Sequence, residues 1–254
     1  MDISTSKDQG IFTIEFNRPE KKNAITAAMY QAMADALIEA DKDSEVRVIL
    51  IQGKPQIFAA GNDLEDFLKN PPEGSNSPVF NFMAALSHVA KPVVAAVSGA
   101  AVGIGTTLLL HCDLVYAADN AKFSMPFTQL GLCPEFGSSL LLSQMAGHQR
   151  AAEKLMLGEP FLAAEAHNLG IVTKVLPLAE LFDYARAQAA KLAALPASSI
   201  RTTKRLMKGS QSAAVAAKMA EEGKSFGEML GSPEAKEAFT AFFEKRKPDF
   251  TKFA

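Results

Sequence analysis

Among the residues able to move a proton, Glu135 stands out as a lone carboxylate in Leu132-Cys133-Pro134-Glu135-Phe136-Gly137. Taken singly it could be a solvated loop acid. Its neighbours argue otherwise: Leu130, Leu132, Cys133 and Phe136 supply apolar walls, and Gly131 and Gly137 let the backbone bend sharply. Apolar walls disfavour a charged carboxylate, raise its pKa and leave a stronger base that can take a proton and return it. Two turns lie upstream. In Phe58-Ala59-Ala60-Gly61-Asn62-Asp63-Leu64 an apolar run stops at Gly and an Asp opens a short helix. Gly99-Ala100-Ala101-Val102-Gly103-Ile104-Gly105 follows a buried-looking strand, Pro92 to Val97, and precedes an apolar helix, Thr106 to His111. The first N–H groups of a helix have no partner within it, so two such turns facing each other can aim free donors at one oxygen. Either turn alone could be a plain strand-to-helix connection. Together, beside an acid, they suit a reaction that pushes charge onto a carbonyl, with a thioester enolate as a natural client.

The remaining polar residues read as structural. The four histidines, His88, His111, His148 and His167, are scattered at helix ends or faces, where capping or core roles suit them, and no pair has metal-ligand spacing. Asp63, Glu65 and Asp66 read as helix-start charges, and Lys204, Arg205 and Lys208 as a solvated helix face. Gly103-Ile104-Gly105 lacks the Lys and last Gly of a nucleotide-phosphate loop.

The elements that must hold these residues follow from periodicity. Ile11 to Phe16 reads as a strand broken at Asn17-Arg18-Pro19-Glu20. Thr26 is a plausible N-cap for a helix in which Met29, Met33 and Leu37 recur at helical spacing. Val46 to Ile51 is a nearly continuous β-branched strand. Phe80 to Val89 is helical, Val93 to Val97 a strand, Ile104 to His111 a helix, Asp113 to Ala117 a strand, and Lys122 to Met125 an extended piece. Strands alternating with helices define an α/β chain with parallel pairings. Pro71 to Pro78 reads as a mobile flap. After Gly137 the pattern is almost wholly helical apart from a strand at Ile171 to Val175. Pro196 ends an Ala-rich helix, placing a boundary between a core of residues 1–195 and a helical region of residues 196–254.

Composition narrows the classes. The 254 residues are 48% hydrophobic with a formal charge of -2, enough for a large core and no general pull toward nucleic acid or anionic membrane, although Lys245-Arg246-Lys247 is a local basic cluster. The two cysteines, Cys112 and Cys133, are too few for a disulfide framework and read as free thiols of a reducing compartment. No secretion signal is visible, and the apolar stretches fall short of the roughly 20 residues a membrane span needs. A cytoplasmic location is the default expectation, with no Ser-Lys-Leu type ending at the C-terminus.

Phe58 to Leu64, then Lys91-Pro92 to Gly105, then Cys112-Asp113-Leu114-Val115-Tyr116-Ala117, closely resemble the crotonase (enoyl-CoA hydratase/isomerase) superfamily, and the likeness runs from Asn17-Arg18-Pro19 to Phe242-Phe243-Glu244-Lys245-Arg246-Lys247-Pro248. The resemblance implies a spiral of β-β-α turns with a helical C-terminal region. It also implies homotrimers or pairs of trimers, and an acyl-CoA whose thioester oxygen sits between two backbone N–H groups. By position these belong to Asn62 and Ile104. Ala60, Gly61, Asn62, Asp63 and Leu64 would line the CoA arm, Lys21 or Lys22 would meet its phosphates, and Phe242 and Lys245 would reach CoA from the tail. The two glutamates with which hydratases of the superfamily activate water read here Thr107 and Phe127. Glu135, after Pro134, instead falls where the Δ3,Δ2-enoyl-CoA isomerase branch places its single acid, and Ala101-Val102-Gly103-Ile104 followed by Ser124-Met125-Pro126-Phe127 looks like that branch's peroxisomal type. The implied function is isomerisation of 3-enoyl-CoA to trans-2-enoyl-CoA in fatty-acid β-oxidation. No metal or redox cofactor is implied, coenzyme A being part of the substrate. The alternatives are an enoyl-CoA hydratase or other crotonase-type acyl-CoA lyase, and a non-catalytic acyl-CoA-binding protein.

Overall fold

The computed structural model describes residues 1–71, 74 and 76–253. In chain order these form β1 (Ile3–Asp8), β2 (Ile11–Phe16), α1 (Ala27–Lys42), β3 (Val48–Gln52), β4 (Ile57–Ala59), α2 (Leu64–Lys69), α3 (Pro78–His88), β5 (Val93–Val97), β6 (Ala100–Val102), α4 (Ile104–Thr107), β7 (Leu114–Ala118), β8 (Lys122–Ser124), α5 (Ser138–Ala146), α6 (His148–Ala152), β9 (Phe161–Leu162), α7 (Ala163–Asn168) and β10 (Lys174–Leu176). Helices α8 (Leu178–Ala194), α9 (Ala197–Gly209), α10 (Ser212–Leu230) and α11 (Pro233–Phe243) follow. None of the described helices is long and apolar enough to cross a membrane.

From β3 to β8 the strands come in consecutive pairs, and each pair splits between two sheets. The first members join a six-stranded sheet of order β1-β2-β3-β5-β7-β10, the second members a four-stranded sheet of order β4-β6-β8-β9. Successive turns of this β-β-α spiral lie parallel. Residue type explains the layers. β5 reads Val-Val-Ala-Ala-Val and is buried throughout, as a parallel strand covered on both faces requires. Neighbouring strand residues face opposite ways, so Val93, Ala95 and Val97 enter the main core while Val94 and Ala96 meet Leu181, Ala185 and Ala189 of α8. Those three α8 residues are four apart and share one helix face; the two alanines let the helix lie close on the sheet. On the opposite side α1 buries Met29, Tyr30, Met33 and Leu37, and Thr26 caps it by accepting from Met29 N–H at 3.3 Å, as its sequence position implies.

The structure departs from the sequence reading in four places. Ile3–Asp8 is an edge strand, paired antiparallel with β2 through a tight turn at Gln9 and Gly10, both at positive φ; only Ile3 of its six residues is buried, so no alternation marks it. The helix expected over 104–111 tightens into a 3₁₀ turn at Leu108–His111. Within 171–175, Ile171 and Val172 are buried in the approach to a strand that begins at Lys174. The face formed by Lys204, Arg205 and Lys208 is not simply solvated: Lys204 Nζ lies 2.7 Å from Asp113 Oδ2 and donates to Lys91 O, and Lys208 Nζ donates to His111 O at 2.6 Å. These bonds pin α9 onto the core. Of the stretch read as a flap, Pro72, Glu73 and Ser75 lie outside the described residues.

Candidate active site

Both turns are built by close backbone approach. Gly61 adopts φ +86, and a Cβ there would sit 2.9 Å from Val102 O; a Cβ on Gly105 would sit 2.9 Å from Ala59 O. The end of β4 thus abuts the end of β6, and only residues without side chains allow it. Several N–H groups around the turns are occupied. Ala60 N–H donates to Lys22 O at 3.1 Å, Asp63 N–H to Ile25 O at 2.9 Å, and Gly103 N–H to Ser124 O at 2.9 Å. Among the described residues, the N–H groups of Asn62 and of Ile104, the first residue of α4, meet no backbone acceptor. Asp63 starts α2 by accepting from Asp66 N–H and binds Arg18 Nη1 at 2.7 Å, so the first turn is tied down by its own charge.

Asn62 and Ile104 stand where two cavities meet, since both residues line both spaces. One, of about 870 Å³, is bordered by Lys21, Lys22, Ala60, Gly61, Asp63 and Leu64, and by tail residues including Phe242, Arg246 and Lys247. The other, of about 840 Å³, runs between α3 and α10, with Phe80 and Met83 on one side and Met219, Gly223 and Gly227 on the other. Glu135 opens into this second space. Phe127 lines the first.

Glu135 is only 8% exposed. Its Oε1 accepts from Thr107 Oγ1 at 2.5 Å; its Oε2 has no hydrogen-bond partner among the described residues. Burial pushes its pKa up to about 8, the charge of Glu222 adds to that, and the Thr107 bond pulls the other way. Tyr30, buried in α1, donates to Asn62 Oδ1 at 2.5 Å. Burial, then the charge of Glu135, holds its phenol well above the ordinary value. The arrangement therefore offers a carboxylate with one unpartnered oxygen at the edge of an apolar cavity, near two amides able to hold a developing negative charge.

The structure brings together Glu135, Asn62, Ile104, Lys21, Lys22, Ala60, Gly61, Asp63, Leu64 and Phe242 along these two connected spaces. Lys245 is the exception: it lines neither, and Lys247 and Arg246 take the cleft side of the basic cluster. Arg246 is held by Glu237 and Glu244, which leaves Lys247 the freer cation. Sequence reasoning missed Tyr30, named Thr107 only as an absent acid, and did not single out Glu222. For Tyr30 a signal existed, one polar atom inside the apolar stripe of α1; for Glu222, on a helix rich in charges, there was none.

A ladder of β-β-α turns whose two strand-to-helix bends expose paired amides beside an apolar channel is the architecture of the crotonase superfamily, and the chain belongs to it: the family model described as enoyl-CoA hydratase/isomerase matches residues 6–252. It is an enzyme family that acts on acyl-CoA thioesters. The chain is 49% identical to OdaA of Pseudomonas aeruginosa, whose structure superimposes with a TM-score of 0.93 over 95% of this chain and 98% of that one. It is 36% identical over 213 residues to human enoyl-CoA delta isomerase 2, covering 81% of this chain and 54% of the human protein. It is 32% identical over 250 residues to a Mycobacterium tuberculosis protein named probable enoyl-CoA hydratase echA8, covering 98% of this chain and 97% of that protein.

Proposed function

We propose that the protein is a Δ3,Δ2-enoyl-CoA isomerase, and the observation that carries the reading is the buried Glu135, which borders the apolar cavity and keeps one carboxylate oxygen without a hydrogen-bond partner among the described residues. A hydratase needs to hold and activate water. At the two positions where the resemblance expects acids for that task stand Thr107, whose hydroxyl is spent on Glu135, and the buried Phe127. In the isomerase reading the CoA arm follows residues 60–64, with Lys21, Lys22 and Lys247 toward its phosphates. The thioester oxygen sits between the N–H groups of Asn62 and Ile104, and the acyl chain enters the space between α3 and α10.

The chemistry then needs one carboxylate. Polarising the thioester acidifies C2 of a 3-enoyl-CoA, ionised Glu135 takes that proton, and the two amides hold the resulting dienolate oxygen. The same acid returns the proton to C4, so the double bond moves from C3–C4 to C2–C3 with no net change in atoms or charge. Assembly as a homotrimer or a pair of trimers belongs to the same reading and is measured by light scattering. The deciding experiment follows 3-hexenoyl-CoA by ultraviolet absorbance. Growth of the conjugated enoyl thioester band, with no hydration of crotonyl-CoA, supports the isomerase. Hydration of crotonyl-CoA at a comparable rate replaces it with a hydratase, and binding without either reaction leaves an acyl-CoA-binding protein.

A further inference from the structure

The second peptide group after the base, between Phe136 and Gly137, is held at both of its polar atoms. Phe136 and Gly137 are consecutive residues at positive φ, +60 and +69, a conformation an aromatic residue rarely adopts unless its surroundings enforce it. The Phe136 carbonyl lies 2.7 Å from His111 Nε2, and the two rings stack at 3.9 Å. Burial pushes the His111 pKa down to about 4, so the imidazole is neutral, with its N–H on Nε2 facing the carbonyl. On the other side of the same peptide, Gly137 N–H donates to Glu222 Oε2 at 2.6 Å. Glu222 Oε1 accepts from Ser139 N–H at 3.0 Å and from Ser139 Oγ at 2.5 Å. This carboxylate is 6% exposed and comes from α10, 85 residues further along the chain than Gly137.

We propose that Glu222 is a positioning residue for Glu135: together with His111 it locks the Phe136–Gly137 peptide in the one orientation that aims the base into the acyl cavity. Two features support a role beyond capping α5. His111 and Glu222 Oε2 grip the Phe136–Gly137 peptide, one residue beyond the base, while Glu222 Oε1 serves the first turn of α5. α10 also carries Met219, Gly223 and Gly227, which wall the same cavity, so one helix sets both the channel and the direction of the acid. The charged and titratable groups facing Glu222 are Glu135 and Cys133 from the loop and Lys218 from its own helix. The Glu222 charge raises the proton affinity of all three, that of Glu135 after the larger effect of burial.

The activity arm of the test rests on the isomerase reading; the titration arm does not. Infrared difference titration of the whole protein, with Glu135→Gln identifying the carboxyl band, gives the Glu135 midpoint in wild type and in Glu222→Gln. The expected results for Glu222→Gln are a lower midpoint, kcat on 3-hexenoyl-CoA down tenfold or more, and KM within twofold of wild type. A folded variant with an unchanged midpoint and unchanged kcat overturns the proposal. Wild-type protein that shows the raised midpoint but does not isomerise overturns the isomerase reading, and the midpoint in Ser139→Ala, where the Glu222 charge is kept, then decides the positioning role. Should Glu222→Gln fail to fold, Ser139→Ala, which deletes one donor to Glu222 and keeps its charge, replaces it. There a two- to fivefold loss of kcat at constant KM, or a displaced Glu135 midpoint where turnover is absent, supports the proposal, and wild-type values of both overturn it.

Discussion

Thr107 donates its hydroxyl proton to Oε1 of Glu135 across 2.5 Å. A threonine thus occupies a place where a hydratase of the superfamily would carry an acid, and it serves the one acid that remains. A hydrogen bond to a charged group contributes about 1.5–3 kcal/mol, and it favours the ionised carboxylate, so it opposes the effect of burial on Glu135. Thr107→Val keeps the shape and deletes the bond. The acid limb of the kcat/KM profile, expected near the Glu135 value of about 8, should move up by about one to two pH units. Activity at pH 7 should fall at least tenfold, with near-complete recovery at high pH. A profile that keeps its limb in place would show that the bond does not tune the base.

Glu135→Gln removes the proton acceptor and little else in volume. General acid–base transfer is commonly worth about 10²- to 10⁴-fold, and in the isomerase reading one residue serves both half-steps. Turnover of 3-hexenoyl-CoA should therefore drop by about 10³-fold or more while acyl-CoA affinity, measured by calorimetry, stays within threefold. Retention of wild-type turnover would remove Glu135 from the mechanism.

Stability should carry the same signature. Burial raises the folded-state pKa of Glu135 from 4.5 to about 8, so the fold binds this proton more tightly than the unfolded chain does. Its contribution to stability is complete below about pH 4.5 and is lost as the pH rises to 8. His111 runs the opposite way: its folded value of about 4 lies below 6.5, so its contribution is complete above pH 6.5 and is lost on acidification. Between about pH 7 and 8 unfolded His111 is largely neutral and Glu135 dominates this pair, so stability should decline by roughly 1 kcal/mol per pH unit, somewhat less than one full proton would give. Urea unfolding from pH 6 to 9 should show that decline in wild type and a flatter dependence in Glu135→Gln. Equal slopes would mean that Glu135 titrates as an ordinary carboxyl group.

These residues differ in how visible they are before folding. Asn62 and Ile104 are legible because a glycine turn before a helix is a local pattern, and its free N–H groups follow from helix geometry alone. Glu135 is legible because its apolar neighbours lie beside it in sequence. Thr107, Tyr30 and Glu222 act on partners 28, 32 and 85 residues away, and nothing in a threonine, a tyrosine on a helix stripe or a glutamate among charges names such a partner. The spiral shows the same division. Val93–Val97 announces a doubly covered strand by composition, whereas the three-residue Ala100–Val102 is a strand only because its neighbours in space, β4 and β8, pair with it.

Tyr30 tests whether the amide at Asn62 needs its side chain held. The phenol donates to Asn62 Oδ1 at 2.5 Å from a fully buried site, and its ring packs at 5.6 Å on Phe82. Tyr30→Phe keeps the ring and deletes the bond, leaving Asn62 free to rotate about its own backbone. Misplacing one oxyanion donor costs less than removing it, which is worth about 3–4 kcal/mol. A three- to thirtyfold loss of kcat is expected, with KM and thermal midpoint nearly constant. A variant with wild-type kcat would show that the Asn62 backbone is fixed by Ile25 and the Asp63–Arg18 pair alone.

The acyl channel gives the last expectation, because its far wall contains a glycine with room in front of it. A Cβ on Gly227 would meet nothing within 4 Å, although the residue borders the 840 Å³ space shared with Glu135. A methylene takes roughly the ~30 Å³ share of a water molecule in liquid, so the space has volume for an acyl tail well beyond six carbons. Each methylene it buries contributes about 0.8 kcal/mol. Gly227→Leu adds a branched side chain at the border of that space; replacing a mid-helix glycine should also raise stability by about 0.5–1 kcal/mol. Assays of 3-hexenoyl-CoA and 3-dodecenoyl-CoA should then separate. The shorter substrate should keep its kcat/KM within twofold, while the longer loses tenfold or more, chiefly through KM. An equal loss on both would place the tail elsewhere and leave the space between α3 and α10 without a part in substrate choice.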